Sequence, residues 1–194
     1  MKVTAYCHGW VGAGVAAALI ADTDIEPTLV LYPAWKYTDR HPCYALEILA
    51  DTWTHLDRHV KLYRWPEHPS IEDCDAVVTA NWRHVLTPLR YTPARLGGFN
   101  VHNSLLPMYK GRRPIQRARK DGQEIIGYSI HRLSSEIDSG DTLFRRHLFI
   151  GKEDEDQIYK TFGLLAGHDL LRIIKEQHER PHETPRGFVG QGCR

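Results

Sequence analysis

In the first half of this chain, strand patterns alternate with helical patterns, and this alternation limits the folds open to it. We predict strands at Val3–Cys7, Pro27–Tyr32, Val60–Trp65, Ala76–Ala80 and Gly98–His102, a tight glycine turn at Gly9–Gly14, and helices at Val15–Asp22, Tyr44–Trp53 and Arg83–Arg90. Strands that alternate with helices form right-handed crossovers onto a parallel sheet. The sequence therefore predicts an α/β fold, a Rossmann-like three-layer sandwich.

The second half departs from this alternation. Gly127–Leu133 and Thr142–Ile150 have strand patterns with the loop Ser134–Asp141 between them, which predicts an antiparallel hairpin near the C-terminal end of a mostly parallel sheet. Apolar residues at helical spacing predict a long helix at Ile158–Gln177. We expect residues 1–179 to form one catalytic domain and residues 180–194, rich in proline, glycine and charge, to form a loose C-terminal tail.

Composition excludes several classes of partner. Lys and Arg number 25 against 24 Asp and Glu, so no field of the whole molecule attracts nucleic acid or an anionic membrane. The longest apolar run, Val15–Ala21, is far shorter than the roughly 20 residues that cross a bilayer. No export signal or Cys-x-x-Cys pair is visible. We therefore expect a cytoplasmic protein with reduced cysteines and no membrane association, for which nucleic acid is not the expected partner.

Polar side chains stand where an α/β sheet binds its ligands. Asn100 and His102 close the fifth predicted strand two residues apart, on one face, and Asp138 lies in a later glycine-flanked turn. An amide and an imidazole can donate to a developing oxyanion, while a carboxylate orients the imidazole and collects a proton, which suits acyl transfer to an amine. The spacing alone leaves a second interpretation open, in which these are ordinary strand-end, half-buried and turn residues.

The sequence around these residues resembles the folate-dependent formyltransferases. Residues 100–107 are Asn-Val-His-Asn-Ser-Leu-Leu-Pro, and Ile137-Asp138-Ser139-Gly140 follows, as in the family signature Asn-x-His-Pro-Ser-Leu-Leu-Pro with its later Asp-x-Gly turn. Asn103 replaces the proline of that signature. The resemblance covers about Val77 to Leu143. It implies that Asn100, His102 and Asp138 are catalytic and that 10-formyltetrahydrofolate donates the formyl group. No metal is expected, because the sequence offers no convincing set of ligands.

The same resemblance implies the ligand contacts. Folate would lie beside Trp82, Arg83, His84, Val85 and Leu86 and beside Ser134, Ser135, Glu136 and Ile137. The acceptor, a primary amine on a small metabolite, sugar or nucleotide, would contact Gly9, Trp10, Pro107, Arg112 and Arg113. The basic run at residues 110–120 is a site for a phosphate-bearing acceptor or for nucleic acid, or else a solvated helix face, and the sequence does not decide between them. A homodimer is left open.

Other interpretations have less support in the sequence. Gly9, Gly12 and Gly14 do not fit Gly-x-Gly-x-x-Gly, and no acidic residue follows the second strand, so a nicotinamide site is not favoured. His41, Cys43, His55, His59 and His68 are set aside as metal ligands and interpreted as surface residues. A folate-binding regulatory protein without turnover and a 10-formyltetrahydrofolate hydrolase are the alternatives to a transferase. Known hydrolases of this kind carry an additional amino-terminal domain, which we do not identify here.

Overall fold

The computed structural model describes residues 1–32, 60–151 and 153–180. Its strands are β1 (Lys2–Cys7), β2 (Glu26–Leu31), β3 (Lys61–Arg64), β4 (Ala76–Ala80), β5 (Gly98–His102), β6 (Ile125–Arg132) and β7 (Thr142–Phe149). Its helices are α1 (Gly9–Ala21), α2 (Pro114–Lys120) and α3 (Glu155–Glu179), with a 3₁₀ turn at Pro88–Arg90. The predicted helix at Tyr44–Trp53 lies outside the described residues, and so does the predicted tail beyond Arg180.

Within the described residues, the strands form one seven-stranded sheet in the order β3-β2-β1-β4-β5-β6-β7. Strands β1 to β5 run parallel, whereas β6 is antiparallel to both of its neighbours. The inner parallel strands are apolar runs because both faces of the sheet are covered, and every residue of β4 is buried. The predicted Rossmann-like architecture with its C-terminal antiparallel hairpin is therefore confirmed.

Helices α1 and α3 cover one face of the sheet and contact each other closely through glycine. A Cβ atom added to Gly14 would lie only 2.2 Å from the carbonyl carbon of Gly163. The prediction of a glycine turn at Gly9–Gly14 is wrong, because α1 already begins at Gly9. Gly9 alone turns the chain, with φ of +63°, whereas Gly12 and Gly14 permit close packing inside the helix.

The opposite face carries a smaller apolar cluster around Tyr6, Val30 and Val77. In the part of the chain that the structure describes, irregular segments cover this cluster with residues such as Leu86 and Tyr91. The predicted helix at Arg83–Arg90 is wrong, since only its last three residues form a 3₁₀ turn. Pro88 disfavours a helical conformation at Thr87, which is extended with φ of −68° and ψ of 153°.

Two helical segments frame the region beside the predicted site. Residues 114–120 of the basic run form the short helix α2, which begins with Pro114, a residue suited to the first helical position. Helix α3 begins at Glu155, earlier than predicted, because Asp154 and Gln157 form a reciprocal capping box at its start. Neither α3 nor any other described helix is both long enough and apolar enough to cross a bilayer.

Candidate active site

The carboxyl ends of β1, β4 and β5 border a groove of about 930 Å³. Ligands of open α/β sheets bind at this edge. The groove wall contains Asn100, His102 and Asp138, the three residues that the sequence analysis singles out for chemistry. The fold therefore joins an amide and a carboxylate that are 38 positions apart in the sequence.

Asn100 lies at the centre of a polar row that crosses three strands. Its register partners are Thr79 on β4 and His131 on β6. The Thr79 hydroxyl donates to Asn100 Oδ1 at 2.7 Å, and Asn100 Nδ2 lies 2.9 Å from His131 Nε2. Nδ2 also donates to Asp138 Oδ1 at 3.3 Å. Contacts at both ends of the amide fix its orientation and hold Nδ2 toward Asp138.

His102 is buried at the end of β5 with both ring nitrogens beside oxygen atoms. Nδ1 lies 3.3 Å from Asp138 Oδ2, and Nε2 lies 3.1 Å from the carbonyl oxygen of Tyr109. A neutral imidazole carries one N–H group and can donate to only one of these acceptors, whereas an imidazolium donates to both. The surroundings of His102 are thus arranged for a ring that takes up a proton.

The loop between β6 and β7 holds Asp138 in a left-handed conformation, with φ of +51°. Aspartate enters this region more readily than most residues. The Gly111 N–H group donates to Asp138 Oδ2 at 2.8 Å, and Lys110 Nζ donates to the neighbouring Ser139 hydroxyl at 2.7 Å. These bonds tie the segment after β5 to the Asp138 turn, which fixes the carboxylate beside His102.

For both Asp138 and His102, burial and the neighbouring groups shift the pKa in opposite directions. Burial favours a raised pKa for Asp138, but contacts with His131, His102 and the Gly111 N–H group outweigh it and hold the pKa below its ordinary value. Burial lowers the pKa of His102, and the charge of Asp138 offsets this effect only in part. The resting site therefore favours an ionised Asp138 next to a neutral His102.

This arrangement has the groups that acyl transfer to an amine requires. Asn100 Nδ2 can donate to an oxygen that develops negative charge, and a protonated His102 can do so when that oxygen replaces the Tyr109 carbonyl group as the acceptor of its Nε2–H group. Asp138 orients His102 and can accept a proton from an attacking amine, directly or through water. The ordinary interpretation of these residues as unrelated strand-end and turn residues does not account for their mutual contacts.

Most of the residues expected to contact ligands line the same groove. They are Gly9, Trp10, Trp82, Arg83, His84, Val85, Leu86, Arg112, Arg113, Ser134, Glu136 and Ile137. Ser135 and Pro107 are not among the lining residues, and Pro107 is exposed in the turn that ends the signature segment. The groove thus gathers the expected folate and acceptor contacts apart from these two.

Several groove residues were not singled out from the sequence. His131 and Thr79 contact Asn100, and Asn81 accepts a hydrogen bond from Asn103 Nδ2 at 3.3 Å. Asp156 and Tyr159, from the first two turns of α3, also line the groove. The one sequence signal for His131 is its place in a strand next to the hairpin loop, and it becomes informative only once the β5–β6 register is known.

The basic run divides into two parts with different roles. Arg117 donates to the carbonyl oxygens of Tyr109 and Lys110, so its charge holds the loop that contacts His102 and Asp138. Arg112 and Arg113 are instead exposed on the groove wall. The choice between a solvated face and an anion site therefore concerns Arg112 and Arg113 rather than the whole run.

Within the described ranges, no three His, Cys, Asp or Glu side chains are placed to hold a metal ion. Of the residues weighed as ligands, His41, Cys43, His55 and His59 lie outside these ranges. His68 instead contacts the Tyr6 hydroxyl through Nδ1 at 3.1 Å.

Comparison with known sequences identifies the family. The profile of the formyl transferase family matches residues 68–172, just over half of the chain. A methionyl-tRNA formyltransferase of Natranaerobius thermophilus is 32% identical over 146 residues, which cover 75% of this chain and 40% of that protein. One of Chlorobium luteolum is 38% identical over 106 residues, which cover 53% of this chain and 33% of that protein. The chain thus spans about a third to two fifths of the length of these relatives.

Solved structures share the fold. A phosphoribosylglycinamide formyltransferase from Anaplasma phagocytophilum has a TM-score of 0.63 at 18% identity, covering 91% of this chain and 87% of that chain. A formyltetrahydrofolate deformylase from Pseudomonas syringae has a TM-score of 0.65 at 18% identity, covering 91% of this chain and 62% of that chain. At these identities the likeness concerns the fold alone. The profile match settles the relationship: the chain belongs to the formyl transferase family.

Proposed function

We propose that this protein is an N-formyltransferase that moves a formyl group from 10-formyltetrahydrofolate to a primary amine of a small metabolite, sugar or nucleotide. The observation that carries the proposal is the convergence of Asn100, His102 and Asp138 on one groove. Membership of the formyl transferase family supports a one-carbon transfer at this groove.

The donor would bind between the loops after β4 and β6. Val85 and Ile137 are apolar, yet 65% and 57% exposed, and both line the groove. Trp82 Nε1 is buried there with no hydrogen-bond partner among the described residues. Exposed apolar side chains and an unused donor fit a planar heterocycle with polar edges, such as a pterin. When bound, 10-formyltetrahydrofolate supplies the formyl carbon and the leaving nitrogen.

The acceptor would bind near Arg112 and Arg113, with Gly9 and Trp10 on the same groove wall. Guanidinium groups bind phosphate and carboxylate through paired hydrogen bonds. An amine that carries an anionic group therefore fits this part of the groove better than a neutral one.

The three central residues would divide the reaction between them. Asn100 Nδ2 and His102 stabilise the negative charge that develops on the formyl oxygen while the amine nitrogen bonds to the formyl carbon. Asp138, directly or through water, takes the proton that the amine loses and returns one to the leaving nitrogen. The products are a formamide and tetrahydrofolate, with no change of oxidation state.

A panel of amines tests the proposal. The protein is incubated with 10-formyltetrahydrofolate and glycinamide ribonucleotide, glucosamine 6-phosphate or methionyl-tRNA, and mass spectrometry follows the gain of one formyl group. His102→Ala serves as the inactive control, with turnover expected to fall about 10²-fold. Formate release without a formylated amine would favour a hydrolase, and folate binding without either product would favour a regulatory protein.

A further inference from the structure

Thr79 is a buried hydroxyl beside the amide of Asn100, and the proposed reaction does not yet use it. It is 5% exposed and lies on β4, in an otherwise apolar strand. Its Oγ1 atom lies 2.7 Å from Asn100 Oδ1 and 3.5 Å from the carbonyl oxygen of Phe99. A hydroxyl has one proton, and the shorter contact identifies Asn100 as its acceptor.

The direction of every hydrogen bond in this row follows from a backbone carbonyl group. His131 Nδ1 lies 2.8 Å from the carbonyl oxygen of Arg132, so Nδ1 carries the proton and, in the neutral ring, Nε2 accepts. Asn100 must then present Nδ2 to His131 Nε2 at 2.9 Å, which leaves Oδ1 facing Thr79. In the flipped orientation, Asn100 Oδ1 would take the place of Nδ2, 3.3 Å from Asp138 Oδ1. Two acceptor oxygens would then face each other, which disfavours that orientation.

Catalysis would disturb only one end of this amide. Both hydrogens of Asn100 Nδ2 are engaged, one with His131 and one with Asp138. A formyl oxygen that binds to Nδ2 must displace one of these acceptors. The bond from Thr79 to Oδ1 does not compete with the substrate, so it can persist while the contacts at Nδ2 are exchanged.

We propose that Thr79 is a positioning residue for formyl transfer, which acts by holding the carboxamide of Asn100 in the orientation that presents Nδ2 to the formyl oxygen. The inference rests on the proposed function. It assigns to Thr79 an effect on turnover and none on the affinity for folate, because its hydroxyl proton is directed to Asn100 and not to a ligand.

Thr79→Val removes the hydroxyl with almost no change of shape, and Thr79→Ser keeps it. Turnover is measured with 10-formyltetrahydrofolate and the amine of the panel that the native protein formylates fastest. Thr79→Val should lower kcat about tenfold, because Asn100 Oδ1 is left without its buried donor. Thr79→Ser should remain within about threefold of the native kcat, since the hydrogen bond is retained.

Two further measurements separate positioning from general structural damage. The Kd for 5-formyltetrahydrofolate, measured by calorimetry, should be unchanged in Thr79→Val. Thr4→Val is the matched control, since Thr4 is also buried, on the neighbouring strand β1, and its hydroxyl contacts Cys74 rather than the site. It should keep the native kcat.

An equal kcat for native protein and Thr79→Val would overturn the inference, and so would a Thr79→Ser variant as slow as Thr79→Val. A native protein that formylates no amine would contradict the proposed function instead. In that case the side-chain amide resonances of Asn100 decide the inference by NMR. They should move in Thr79→Val and keep their native positions in Thr79→Ser, and unmoved resonances in Thr79→Val would refute the role of Thr79.

Discussion

Two carboxylates of this protein, the half-buried Asp138 and the buried Asp169, are held in different ways. Asp169, on α3, is 3% exposed and binds Arg146 through two hydrogen bonds of 2.8 Å and 2.7 Å, while the Tyr128 hydroxyl donates to it as well. Asp138 contacts His102, the side-chain amide of Asn100 and the backbone N–H group of Gly111, and it lines the groove.

The two carboxylates differ in whether their hydrogen-bond partners can change charge or orientation. The bond to Asp169 raises the pKa of Arg146, and burial together with Asp169 raises the pKa of Tyr128, so neither partner changes charge near neutral pH. His102 beside Asp138 can gain or lose a proton, and the amide of Asn100 can turn to a ligand. A carboxylate with permanent donors stabilises the fold, whereas one with exchangeable donors on an open groove is available for chemistry.

The largest expected effect is the loss of stability in Asp169→Asn. The amide cannot accept both hydrogen bonds from Arg146, and its NH₂ group would face a donor in a buried place. Because Arg146 is partly exposed, we expect a loss of about 3 kcal/mol, at the low end for a broken buried ion pair. Thermal unfolding should show a Tm lower by roughly 6–12 °C. Formyl transfer by the remaining folded protein should keep the native kcat.

Asp138→Asn should show the reverse pattern. Asparagine also tolerates the left-handed conformation at φ of +51°, and its amide oxygen can still accept from the Gly111 N–H group, so the Tm should fall less than in Asp169→Asn. Turnover should fall about 10²-fold, because the amide can neither collect the proton nor stabilise a protonated His102. Steady-state kinetics and thermal unfolding, measured on the same sample, check the predicted turnover and the predicted Tm. A large fall in Tm together with native turnover would show that Asp138 belongs with Asp169 as a structural carboxylate.

His102 and Asp138 should lose their contributions to stability in different pH ranges. The fold lowers the pKa of His102, so its contribution to stability is present above the unfolded value of about 6.5 and is lost as the pH falls through it. The lowered pKa of Asp138 makes a contribution that is present above about 3.9 and is lost at more acid pH. Acid should thus weaken the site first through His102.

Replacing Asp138 tests whether its charge acts on the pKa of His102. Asp138 raises the pKa of His102, whereas His131 and Arg117 lower it. The His102 titration, followed by NMR, should therefore move to lower pH in Asp138→Asn and remain in place in Asp169→Asn. An unchanged titration in Asp138→Asn would mean that the charge of Asp138 does not act on His102.

The sequence predicts the three central residues of the candidate site but not the side chains that contact them. Asn100 and His102 are recognisable because they share one strand end, where spacing alone places them on one face. His131 and Thr79 depend on the registers β5–β6 and β4–β5, which are long-range pairings that no local pattern specifies. A threonine inside a buried strand also looks like an ordinary β-branched residue.

The glycines near the amino terminus show the same limit. Gly12 and Gly14 look like a loop in the sequence, since glycine is a poor helix former. The structure places them in α1, where Gly14 contacts the backbone at Gly163, far along the chain. In α1, tertiary packing overrides the low helix propensity of glycine. The residue that requires a glycine at position 14 is Gly163, which the sequence near Gly14 does not reveal.

The smallest expected effect is that of Tyr128→Phe, which separates the hydroxyl from the ion pair. The ring is retained with its edge-to-face contact to Phe162, with centroids 5.5 Å apart. Arg146 and Asp169 keep their two direct hydrogen bonds, so no charged group is left alone. We expect a loss of about 1 kcal/mol and a Tm lower by roughly 2–4 °C, with native turnover. A loss as large as that of Asp169→Asn would show instead that the three side chains stabilise the fold only as a complete unit, and that the ion pair contributes little without the hydroxyl.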